Sequence, residues 1–153
     1  MEWMILPFKR YAEFDGRSRR MEFWMWQLLN IIVAVVLAGP FILAVATAGA
    51  LADGGAAPDA FDGVGVVGLG MISLYGIWWL AALIPGIAVT VRRLHDRDMS
   101  GWWYLGFTLG GLVPLVGFIA SIAFLVVMVL PGTDGANQFG PDPKNPYDED
   151  VFA

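Results

Sequence analysis

The stretch VRRLHDRDMSGWW, from Val91 to Trp103, holds three arginines, two aspartates and the only histidine of the chain, between strongly apolar neighbours. A His-Asp doublet can serve a metal-dependent phosphohydrolase. Such a centre from His95, Asp96 and Asp98 needs further ligands, and the sequence has one histidine and no cysteine, so ligand count argues against a metal. Ser100 beside His95 and Asp96 suggests a hydrolytic triad only by adjacency, which is no guide to triad geometry. Two readings of the doublet stay open. In one, His95 and Asp96 are acid/base groups acting on a lipid-linked phosphate beside an arginine clamp. In the other, Asp96 or Asp98 pairs with an arginine and His95 caps a helix end. No catalytic residue, metal or cofactor is assigned.

The arginines point to anion binding. Arg17, Arg19 and Arg20 precede one long apolar block, and Arg92 and Arg93 follow another. If those block ends are neighbours, Arg17, Arg20, Arg92 and Arg93 converge, with His95 and Asp96 alongside. A guanidinium binds phosphate through a planar bidentate fork. The bland alternative makes them topology signals and snorkelling anchors. Trp102 could stack on a ligand or anchor at the membrane interface.

The elements that would position these groups are membrane helices. Hydrophobic residues make up 58% of the chain and charged residues 15%, with mean hydropathy +0.64. No Asp, Glu, Lys, Arg or His occurs over 23–52, 63–91 or 99–133. Each block exceeds the roughly 20 residues that cross a hydrocarbon core. Crossings are expected near 23–50 and 64–91, with a block at 101–130 broken at Gly110-Gly111 and Pro114. That gives an all-α membrane protein, a small bundle of three to four membrane-embedded helices. PFKRYAEFDG is expected to form a short amphipathic helix on the membrane surface, started by Pro7 and stopped by Gly16. Ser18 is expected to cap the first crossing, and Gly39-Pro40 to kink or end it. Residues 1–143 form a single transmembrane domain in this reading, and 144–153 a flexible acidic tail. No cleavable signal peptide is expected, because the first apolar block is longer than an h-region.

Of the nine lysines and arginines, all but Lys144 precede the first block or follow the second. The loop DGGAAPDAFD between them carries three aspartates and no cation. Lys/Arg excess marks the cytoplasmic side, so the N-terminus and the 92–98 loop are expected inside. The apolar blocks hold no ionisable residue, which argues against a proton pump or ion-coupled transporter.

FDGRSRRMEFW, RRLHDRDMSGWW and GTDGANQFGPDP, in this order around the apolar blocks, resemble the bacterial inner-membrane family catalogued as domain of unknown function 805. The resemblance runs from about Phe8 to Pro143, implies an inner-membrane location, and brings no assigned reaction. Through the third motif Asn137 joins the candidate site residues. The expected function is binding of an anionic lipid headgroup or an acidic partner at a cytoplasmic arginine-rich face. An enzyme acting on a lipid-linked phosphate and a helper subunit of a membrane complex are the alternatives. Membrane lipids, a protein partner or a second copy are the expected partners, and nucleic acid is not.

Overall fold

A computed structural model describes residues 2–53 and 60–144. The middle of the acidic loop (54–59) and the tail (145–153) lie outside the described residues. The described residues form six helices and no strand: α1 (Glu2–Lys9), α2 (Arg20–Leu37), α3 (Gly39–Asp53), α4 (Ala60–His95), α5 (Trp102–Gly110) and α6 (Pro114–Val129). Within them, Arg20–Leu37 and Val67–His95 are long and apolar enough to cross a membrane. Contacts group the chain into two compact units, one of residues 1–26 and 84–153, the other of 27–83.

The second unit contains most of α2 and α4 with all of α3. The first expected crossing is interrupted at Ala38. Pro40 has no N–H to give to the preceding turn, yet Ala38 donates to Ala34 and Ile42 to Ala38 at 2.8 and 3.0 Å. Backbone bonding therefore continues across the break between two helical segments. Gly68 lets the Phe41 ring approach so closely that a Cβ would overlap it, and Trp78 Nε1 donates to Asn30 Oδ1 at 3.1 Å. That bond adds a polar contact to the pairing of α2 with α4.

The first unit holds the charged motifs, and here several expectations need correction. The N-terminal helix runs over Glu2–Lys9 with Pro7 inside it, and the segment from Arg10 to Arg19 is not helical. Arg92 is the physical reason: its NH1 takes the carbonyls of Glu13 (2.9 Å) and Arg10 (3.5 Å), acceptors that a continuing helix would use. α1 is instead tied to α2 by rings, with Phe8 edge-on to Trp26 at 5.0 Å and Arg19 over Trp3 at 5.8 Å. Ser18 does not cap α2. Phe23 N–H donates to the Arg19 carbonyl, so the helix opens one residue later, and Ser18 Oγ bonds Glu22 Oε2 at 2.7 Å.

α4 also outlasts its expected end at Val91. It continues through Arg92 and Arg93 to His95, because buried partners neutralise both arginines. Leu94 and His95 carbonyls then receive the N–H groups of Met99 and Asp98, both at 3.0 Å. Asp98 takes the left-handed conformation (φ 57°) that closes such a helix end. His95 does not cap it.

The third apolar block is broken where expected. Gly111, Leu112 and Val113 donate to Phe107, Leu109 and Gly110, so the turn leaves those donors satisfied before Pro114, which has none. Gly117 lies against the Gly111 backbone so tightly that a Cβ would meet its carbonyl oxygen at 2.8 Å. Phe107 and Phe124 meet edge to face at 5.5 Å, making α5 and α6 a packed hairpin.

Candidate functional site

The site is the charged end of the first unit, built by the Arg10–Arg20 segment, the C-terminal end of α4 and the loop after α6. Three arginines lie buried in it. Arg17 reaches Asp96 with Nε at 3.0 Å and fastens the Thr133 and Gly135 carbonyls with its other nitrogens. Arg93 NH1 is paired with the second Asp96 oxygen, and its NH2 bonds the Leu130 carbonyl. Arg92 NH2 meets Glu22 at 2.7 Å, with both side chains at 2% exposure or less. Asp96 thus accepts from two arginines that lie 76 positions apart in the chain.

Buried charges are tolerated only when paired and hydrogen-bonded, because removing each from water costs several kcal/mol. The arrangement meets this condition almost throughout. The exceptions are Arg92 Nε and, on the neighbouring turn, Arg97 Nε, both buried without a partner. Around the ions, backbone bonds stitch the same segments together: Ser18 N–H to the Arg92 carbonyl (3.1 Å) and Thr133 N–H to the Asp96 carbonyl (2.8 Å). Gly132 passes against Asp96 so closely that a Cβ would fall on its carboxylate.

The expected site residues fall into three groups. Arg17, Arg93 and Asp96 come together on one another, and Arg92 pairs separately with Glu22. Asn137 is a brace, its Nδ2 donating to the His95 carbonyl at 2.8 Å and to Thr133 Oγ1 at 3.1 Å while its Oδ1 receives Phe139 N–H at 2.9 Å. His95 stacks on Phe139 at 3.9 Å, and its Nδ1 faces the Gly16 carbonyl at 3.2 Å; since a carbonyl only accepts, Nδ1 carries the proton. Gly16 turns that carbonyl inward with φ +82°. His95 and Asp96 therefore serve different partners. Trp102 is 78% exposed at the start of α5, away from the buried ions. Arg20 is exposed, with one long contact to the Val129 carbonyl (3.4 Å).

No group of three or more potential metal ligands occurs among the described residues. Sequence reasoning missed Glu22 as an ion partner, since Arg92 lies 70 positions away. It also missed Arg19 and Lys144. A cleft of about 200 Å³ is lined by Arg19, Arg20, Met21, Asp96, Gly132, Pro143 and Lys144. A larger one of about 350 Å³ lies between α5 and α6. Of its three hydroxyls, those of Thr108 and Ser121 bond carbonyls of their own helices, and Tyr104 supplies the third. At the margin of the site, Arg10 grips Glu13 at 2.6–2.7 Å; this raises the Arg10 pKa and holds the Glu13 carboxyl below its ordinary range.

The three motifs are thus one physical object, and the family comparison covers all of it but the last two residues of the third motif. The family model described as "Protein of unknown function (DUF805)" matches residues 11–141. The chain belongs to this family. Among relatives, the "Inner membrane protein YhaH" of Escherichia coli (strain K12) is 38% identical, over 94% of this chain and 98% of its own length. The "Inner membrane protein YhaI" of the same strain is 32% identical, over 94% and 97%. The "Uncharacterized protein YiiR", also of that strain, is 29% identical over 86% of each chain. No solved structure matches. Membership and the relatives' names support an integral protein of the bacterial inner membrane and supply no reaction.

Proposed function

We propose that the chain is a multi-pass inner-membrane protein whose charged face lies in the cytoplasm and holds anionic phospholipid headgroups. The observation that carries this reading is the division of its cations. Arg17, Arg92 and Arg93 are paired internally, Arg17 and Arg93 sharing the one charge of Asp96. Arg19, Arg20 and Arg97 have no carboxylate within ion-pairing distance among the described residues, and Lys144 has only a 3.7 Å contact with the exposed Asp134. These four make up the rim. Each cation near an anionic leaflet contributes about 1 kcal/mol, and the concentration of Lys and Arg in these segments assigns them to the cytoplasmic side.

The same geometry supports a topology. Glu22 at the start of α2 pairs with Arg92 near the end of α4, so the chain between them leaves and returns. α5 has nine residues, about 14 Å of helix, against a core of about 30 Å. Asp96 before α5 bonds Thr133 after α6, so the hairpin enters and leaves by one face. This supports two full crossings and a re-entrant hairpin, with the loop after α6 cytoplasmic.

The test extracts the full chain with its surrounding bilayer in polymer nanodiscs and measures the ratio of anionic to zwitterionic lipid. Enrichment of anionic lipid is expected, falling toward the bulk ratio when Arg19, Arg20, Arg97 and Lys144 are all replaced by glutamine. Equal ratios for the two proteins would overturn the proposal.

A further inference from the structure

Resting on the headgroup reading, the cleft at the first turn of α2 narrows it from a face to a site. We infer that this cleft holds the glycerol-phosphate neck of one anionic phospholipid. Its walls are mostly carbon, supplied by Met21, Pro143, Gly132 and the stems of Arg19, Arg20 and Lys144. A carbon-walled cleft with cations around it fits an amphipathic ligand, whereas a free phosphate would forgo most of that surface.

The charges are arranged for the phosphate. Arg19 is oriented from both sides, by Trp3 beneath its guanidinium and by the Pro143 carbonyl that receives Nε at 2.6 Å. Arg20 and Lys144 remain free to turn toward an anion, and the positive end of the α2 dipole adds to the same field. Asp96 also lines the cleft and would repel phosphate if its charge stood alone. Its pairing with Arg17 and Arg93 removes that repulsion, so the buried ions maintain the site without touching the ligand.

The experiment titrates the full chain in mild detergent with dioctanoyl phosphatidylglycerol and reads thermal stabilisation, which rises with occupancy of a site present only in the folded protein. Saturable stabilisation is expected. The Arg20→Ala/Lys144→Ala double variant should bind about thirtyfold more weakly, by loss of two surface cations. Both side chains are exposed, and an unchanged melting point without lipid confirms folding. Lys9→Ala, at an exposed cation outside the cleft, should bind as the parent does. Inorganic phosphate and glycerol phosphate should give no comparable stabilisation; if they match the lipid, the site is one for free phosphate and the inference falls. If the double variant binds like the parent while nanodisc enrichment persists, this inference fails and the broader proposal stands. If neither saturable binding nor enrichment is seen, both fail.

Discussion

Two sets of cations occupy the first unit and differ in what surrounds them. Arg17, Arg92 and Arg93 are at most 6% exposed and meet carboxylates or carbonyls of distant segments. Arg20 and Lys144 lie at the surface and Arg97 is half-buried, and their contacts are long or end on backbone carbonyls. The contrast shows that an arginine-rich motif need not be a ligand site along its whole length. Its buried members hold three chain segments in register. Its exposed members are left to meet something outside.

The comparison breaks most severely at Asp96. Asp96→Ala strands Arg17 and Arg93 without a counter-ion, and removing one partner of a buried pair costs about 3–5 kcal/mol. The variant is expected to melt far below the parent in detergent, whereas Arg20→Ala, on the rim, should melt within about 0.5 kcal/mol of it. Next in size is Gly132→Ala. Its Cβ falls on the Asp96 carboxylate, so overpacking should cost about 1–3 kcal/mol, read by the same thermal scan.

Asp98→Gly should work in the other direction. Asp98 holds the left-handed closing position of α4, where glycine has no Cβ penalty, so the change should stabilise by up to about 1 kcal/mol. The smallest expected effect lies at Glu13. Its lowered pKa, caused first by the hydrogen bond from Arg10, means the folded state binds the proton less readily than the unfolded chain. The contribution is complete above the ordinary carboxylate pKa and is lost as pH falls through the depressed value. The pair is solvent-exposed, so Glu13→Gln should shift the melting point slightly at neutral pH and not at all once the carboxyl is protonated in the parent.

What the sequence made legible follows from the range of each interaction. The apolar blocks, the break before Pro114 and the meeting of the two arginine clusters were readable, because they rest on composition and on charges near helix ends. The ion pairs were not. Arg17–Asp96 and Arg92–Glu22 join residues 79 and 70 positions apart, and no local periodicity encodes such pairs. The boundaries of α1 and α4 were misread for the same reason. Arg92 captures carbonyls that would otherwise extend a helix from Pro7, and its own burial lets α4 run past Val91 through charged residues that would ordinarily end it. Asn137 came from a motif, and only the structure shows it bracing the His95 carbonyl.

The central claim is that the segment before α2, the end of α4 and the loop after α6 share one side of the membrane. The sequence has no cysteine, so Asp15→Cys, Asp98→Cys and Asp134→Cys can each be labelled singly with a membrane-impermeant thiol reagent. All three should react in inverted membrane vesicles and stay protected in sealed right-side-out ones. Reaction of position 134 from the side opposite to positions 15 and 98 would contradict the account.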